Sequence, residues 1–215
     1  MCYRQERRCK IGLTMPKTIA LLTLAAASLL PAETITQHDR EFAMSHLHAT
    51  RKMFLDSVAG LTPEQWTFKA APDRWSIAEC AEHIAASEDF MFGLVANQVM
   101  KSPADPAKRA EVKGKDEAIV KQVPDRSQKY KAPDAIAPKQ RWSTPEAIIS
   151  HFKESRDHSI EYVDTTQDDL RDHFAPHPVL GALDGYQWIL LMSAHSERHT
   201  EQINEVKADP KFPRK

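Results

Sequence analysis

Four long stretches of helical periodicity are separated, between the second and the third, by the polar segment 101–142. That segment carries Pro103, Pro106, Pro124, Pro133 and Pro138. A structureless connection of this length is uncommon in a compact domain. Among helical folds it suits a four-helix bundle, in which a long crossover lets consecutive helices run parallel instead of forming a hairpin. With only 6 Gly and few alternating β-branched runs, the expected class is all-α. The expected architecture is a four-helix bundle with a long crossover between the second and third long helices.

The first helix is expected from about Gln37 to Ala59. Ala43, Leu47, Phe54, Leu55 and Val58 recur in phase, and Gly60 ends the run. Thr62 and Pro63 begin a short helical turn that reaches Trp66. Pro72 favours an extended or turn-like course for residues 71–75. Ser76 and Glu79 form a capping box that opens the second helix, which runs past His83 and Phe90 to about Met100. Within the crossover a short helix is expected around Lys115 to Lys121, and the segment reads as either a strap or a mobile lid. Thr144 and Pro145 start the third helix. Ile148, Ile149, Phe152, Ile160 and Val163 support it, although the pattern weakens midway. Asp168 to Gly185 reads as a loop. Asp184 and Gln187 cap a fourth helix that reaches about Lys207.

The N-terminal residues are expected to lie outside this fold. Met15-Pro16-Lys17, the apolar run Thr18 to Leu30, and Pro31-Ala32 reproduce the three regions of a secretory signal peptide. The division is therefore 1–32, an upstream extension and signal peptide starting at Met15, and 33–215, the bundle domain. The expected destination is outside the cytoplasm, periplasmic or secreted, with no stable membrane span after cleavage. If the signal is not used, the chain is cytoplasmic, and the segment is an uncleaved anchor or a helix packed on the domain. Residues 1–32 hold five basic and one acidic side chain, leaving 24 basic against 29 acidic. That balance lacks the basic footprint of a nucleic-acid-binding domain. Of 3 Cys only Cys80 lies in the domain. It forms no internal disulfide and reads as a small buried hydrophobe.

Chemistry is concentrated in the fourth helix. Trp188, Met192, His195, His199 and Val206 share one stripe, so two imidazoles four residues apart face the interior. Such a pair can share a metal ion, and His83 on the second helix completes a facial three-nitrogen set with an open position. Zn²⁺ suits imidazole best, with Ni²⁺, Fe²⁺ and Mn²⁺ as alternatives. A hydrogen-bonded core role for each histidine is the competing reading. A zinc-protease motif places Glu directly after the first His. Here Ser196 holds that place, and Glu197 points about 200° away from His195. No His has Glu three residues before it, which excludes a di-iron bundle. Gln202, one turn beyond His199, is a candidate to support a ligand imidazole or a metal-bound water. Glu79 could support His83 similarly, but its capping role already explains it. His46, His48, His151, His158, His173 and His177 read as solvated or hydrogen-bonded, the last two close to the mouth of the site.

The block Trp75-Ser-Ile-Ala-Glu79-x-x-x-His83-Ile84, followed far downstream by His195-x-x-x-His199-x-x-Gln202, resembles the DinB-like superfamily of metal-binding four-helix bundles. Ala71-Pro-Asp-Arg-Trp75 and Pro176-His-Pro-Val-Leu-Gly181 resemble it as well. The resemblance runs from about Thr36 to Lys207. It implies a divalent metal, commonly zinc or nickel, on His83, His195 and His199. It further implies kinship with transferases and isomerases that use low-molecular-weight thiols such as bacillithiol or mycothiol, with the metal holding the thiol as thiolate. The expected function is thus a metal-dependent thiol transferase or hydrolase acting on a small molecule, by activation of a thiol or water. The alternative is a non-catalytic metal-binding or stress-related helical module. Bundles of this kind often pair as homodimers, although no motif here fixes a dimer face. An extracytoplasmic location would take the protein away from the usual thiol pool.

Overall fold

The computed structural model describes Met1 and residues 35–214. The chain divides into two compact units, Met1–Pro31 and Ala32–Lys215. Apart from Met1, the expected extension and signal peptide lie outside the described residues.

Among the described residues there are seven α-helices: α1 (Gln37–Val58), α2 (Pro63–Thr67), α3 (Ile77–Leu94), α4 (Arg109–Val112), α5 (Lys115–Gln122), α6 (Pro145–Thr165) and α7 (Gly185–Lys207). The four long ones begin where sequence chemistry places a cap. Thr36, Ser76, Thr144 and Asp184 each accept from the backbone amide three residues on. This satisfies one of the donors that every helix start leaves free. At Thr36, Ser76 and Asp184 the capping box is complete, with Asp39, Glu79 and Gln187 reaching back to the cap amide.

In the bundle, α1 and α3 each pack against both α6 and α7, so α1 and α3 occupy one diagonal. Cross-helix pairs give the directions. Asp89 meets His151, and Phe92 meets His158 and Tyr162, so α3 and α6 run parallel. Tyr186 bonds Asp39, Thr50 bonds Ser193 and Lys207 bonds Ser57, so α1 and α7 are parallel too. Arg40 reaches Val163 while Phe54 meets Phe152, which makes α1 and α6 antiparallel. The long connection between α3 and α6 thus does what its length suggested. It lets neighbouring consecutive helices point the same way.

Two apolar clusters form the core. One holds Leu47, Met91, Val95, Val163 and Leu190; the other holds Phe54, Ile77, Cys80, Ile84, Phe152 and Ile203. A buried polar layer joins all four long helices. Arg156 on α6 makes a two-pronged bond to Glu88 on α3, at 2.8 and 2.6 Å. Its remaining donors go to the Leu47 carbonyl and Thr50 of α1 and to Ser196 of α7. All five guanidinium N–H groups are thereby satisfied with neither charge exposed.

Two stretches depart from the sequence reading. The second long helix was expected to stay α-helical to Met100; it widens to a π-turn over Val95–Val99. The expected loop 168–185 contains a two-stranded antiparallel hairpin, β1 (Phe174–His177) and β2 (Gly181–Asp184), with Gly181 at φ +71°. The hairpin packs on α7, where the Trp188 indole lies against His177 and donates toward the Ala175 carbonyl. Among the described residues no helix is long and apolar enough to cross a membrane.

Candidate metal centre

His83 lies in the second turn of α3, and His195 and His199 in the third and fourth turns of α7. Because α3 and α7 pack directly, the three rings meet. His83 Nε2 lies 3.2 Å from His195 Nε2 and 3.1 Å from His199 Nε2. Among the described residues this is the only group of three or more His, Cys, Asp or Glu close enough to hold one ion.

Which atoms carry protons follows from the partners on the far side of each ring. His83 Nδ1 is 2.8 Å from the Ile136 carbonyl oxygen, which can only accept, so Nδ1 carries the proton and Nε2 presents a lone pair. His199 Nδ1 is 2.9 Å from Gln202 Oε1. That oxygen also accepts from Arg126 Nη1 at 3.2 Å, which fixes the amide orientation. His199 therefore also turns a bare Nε2 inward. His195 Nδ1 is buried and without a partner among the described residues.

The His83 and His199 lone pairs, facing one another at 3.1 Å, repel unless a cation or a donor lies between them. A proton serves this role poorly here. Burial pushes the His83 imidazole down to about 4, with nearby Arg141 adding to the effect and the Ile136 carbonyl opposing it. Burial first, and then the neighbouring rings, also holds His195 and His199 well below the ordinary histidine range. A divalent metal fits: metal–nitrogen bonds of about 2.0–2.1 Å place two ligands roughly 3.3–3.4 Å apart at the tetrahedral angle and roughly 2.8–3.0 Å apart at a right angle, which brackets the spacing of the rings. His83 is 1% exposed, whereas His195 and His199 keep partial solvent access. The accessible side is theirs.

Around the rings, the Trp75 indole packs 5.0 Å from His83 and 6.0 Å from His199. The crossover closes the other side. Glu82, beside His83, accepts from the backbone amides of Lys139, Gln140 and Arg141 and from Arg141 Nη1. Arg198, beside His199, donates to the carbonyls of Val123, Asp125 and Gln128. Neither residue, nor the Ile136 carbonyl, stood out in the sequence. A backbone carbonyl leaves no side-chain signature, and Glu82 and Arg198 resemble ordinary surface charges.

Apart from His177, which is close enough to act electrostatically on His195, the other sequence candidates lie elsewhere. Glu79 is occupied by its cap and by Lys69. His151 bonds Asp89, His173 bonds the Ser102 carbonyl, His46 meets the Phe42 ring edge-on and His158 lies on Phe92. His177 Nδ1 accepts from the Val179 and Leu180 amides. Cys80 is fully buried, and burial raises its thiol far above the range in which thiolate forms.

The sequence profile described as the DinB superfamily matches residues 46–203. The chain belongs to the DinB superfamily. Within it, the uncharacterized protein YuaE of Bacillus subtilis (strain 168) is 24% identical over 164 residues, which span 76% of this chain and 96% of YuaE. Among solved structures, YfiT from Bacillus subtilis superposes with a TM-score of 0.51 at 15% identity, covering 83% of this chain and 91% of YfiT. YfiT is described as a probable metal-dependent hydrolase with an unusual four-helix bundle topology. The likeness supports the same fold for this DinB-superfamily chain.

Proposed function

We propose that this protein is a metal-dependent enzyme, a hydrolase or thiol transferase acting on a small molecule, with His83, His195 and His199 as metal ligands. The observation that carries the reading is the convergence of three Nε2 atoms, two of whose rings are held with the lone pair inward. Bound there, a divalent metal supplies Lewis acidity and lowers the pKa of a coordinated water or thiol. The chain's own contribution is positional. The Ile136 carbonyl and Gln202 hold two rings in the ligating tautomer, as partners behind ligand histidines do. Burial keeps all three imidazoles neutral, which is the ligand form. Trp75 walls one side. The donor set holds three residues, one fewer than a closed tetrahedral site uses, as in catalytic rather than structural sites. Zinc or nickel is the ion proposed, and a low-molecular-weight thiol the cosubstrate of the transferase form. The description of YfiT favours the hydrolase form. Residues 1–32 are proposed to direct export, on the strength of their charged, apolar and small-residue regions.

The test is elemental analysis of purified protein beside a His83→Ala/His195→Ala/His199→Ala variant. Near-stoichiometric metal in the first and none in the second is the expected result, and it justifies screening hydrolase and thiol-transfer substrates. No metal in either, after reconstitution at neutral pH, sinks the reading and leaves a histidine-containing scaffold.

A further inference from the structure

Glu82 and Arg198 are sequence neighbours of His83 and His199, one on each ligand-bearing helix, and both grip the same crossover from below. Arg198 takes carbonyls in its middle, Val123, Asp125 and Gln128. The Glu82 carboxylate takes amides at its far end, residues 139–141, at 2.7–3.2 Å. Between the two grips lies Ile136, 7% exposed, whose carbonyl receives the His83 Nδ1 proton. Glu82 is itself 4% exposed. It accepts four N–H groups, which exhausts a carboxylate's usual capacity and which a neutral amide could not do. The backbone bends to reach it: Gln140, at φ +58°, is the only non-glycine residue with positive φ among those described. An unfavourable backbone that persists is one that its surroundings over-determine.

We propose that Glu82 is a positioning residue for the metal centre. It acts through the crossover: by docking residues 139–141 it sets the Ile136 carbonyl behind His83, so crossover docking and metal affinity are thermodynamically coupled. Coupling of this kind is reciprocal. Whatever undocks the 139–141 turn weakens the metal, and the metal in turn tightens the turn. This inference rests on the three-histidine reading above.

Two variants separate the coupling from general damage. Glu82→Gln removes the charged acceptor on α3. Gln140→Val leaves α3 untouched and places a β-branched residue where φ is positive, which such residues strongly disfavour. Gln140→Gly serves as the rescue, because glycine adopts that φ without strain. Zn²⁺ affinity of the full chain is read by competition with a chromophoric chelator, beside the metal-free melting temperature and amide exchange at residues 139–141. Glu82→Gln and Gln140→Val are each expected to weaken Zn²⁺ roughly tenfold, the lower end of what loss of a ligand's outer partner costs. Gln140→Gly should stay within about threefold of the parent. Zn²⁺ should slow exchange of the 139–141 amides in the parent. Parent-like Zn²⁺ affinity in both Glu82→Gln and Gln140→Val overturns the inference, as does an equal loss in Gln140→Gly and Gln140→Val. A parent protein that binds no Zn²⁺ is a different result, and it overturns the three-histidine reading first.

Discussion

At the scale of single residues, the middle of the bundle is where charge and burial compete most directly. Arg156 and Glu88 are both fully buried, and each depends on the other. Removing one member of such a pair strands the other in a low-dielectric interior, which costs about 3–5 kcal/mol. Arg156→Met should therefore lower the urea midpoint sharply. Combining it with Glu88→Gln should recover part of the loss, because the stranded carboxylate is gone. Equal destabilisation in the single and the double variant would show that the cost lies in the Thr50 and Ser196 bonds instead. This pair also explains a feature of the sequence. The apolar pattern of the third long helix weakens between Phe152 and Ile160, and the position that breaks it is Arg156, which faces inward in phase. Periodicity registers a charge as a gap, and nothing in one chain marks a gap as a buried ion pair. The histidines were legible for the opposite reason. Their spacing placed them on an apolar stripe, and α3 packs against α7 to bring the third ring to them.

At the scale of elements, what was legible followed the strength of the local signal. Helix starts carry hydroxyl and carboxylate caps, and those expected at Thr62, Ser76, Thr144 and Asp184 are all present. The hairpin was not legible. Its strands are four residues each and include Pro176 and Asp184, so no alternation survives. It is held by packing on α7 and by His177 accepting two amides of its own turn. Asp184 ends β2 and caps α7, and its carboxyl is 2% exposed. Burial lifts it from 3.8 to about 6, against the opposing pull of Arg171 and the Gln187 amide. Between those two values the folded chain retains a proton that the unfolded chain has released. Stability is therefore favoured at low pH and declines as pH rises through about 6. Asn caps as well as Asp and does not titrate. Asp184→Asn should thus gain on the parent between pH 4 and pH 7 by up to about 3 kcal/mol, since each tenfold difference in proton affinity is worth about 1.4 kcal/mol. Thermal melts of both proteins across that range give the difference, and a gap that stays constant with pH would contradict the assignment.

At the scale of the whole molecule, the metal centre joins two helices that are already joined by other means. The crossover length, the diagonal placement of α1 and α3, and two apolar clusters shared by all four long helices arise without any ion. A described domain of about 180 residues buries enough surface to fold alone. The apo protein is accordingly expected to keep its helical circular dichroism. Metal should act only by mass action, stabilising whichever state holds the three imidazoles together. At a free metal concentration one hundred times the dissociation constant, that linkage amounts to about 2.7 kcal/mol. For a chain of this size it corresponds to a rise in melting temperature of roughly 5–11 °C. The triple histidine-to-alanine variant should melt at the same temperature with and without metal. Titrating Zn²⁺ into the chelated protein while following ellipticity and melting temperature separates two pictures of the bundle. A constant helical signal with a rising melting temperature means a preformed scaffold that presents three imidazoles to an ion. Loss of helix on chelation would instead make the metal part of the fold, and would reassign His83, His195 and His199 from a reactive centre to a structural one.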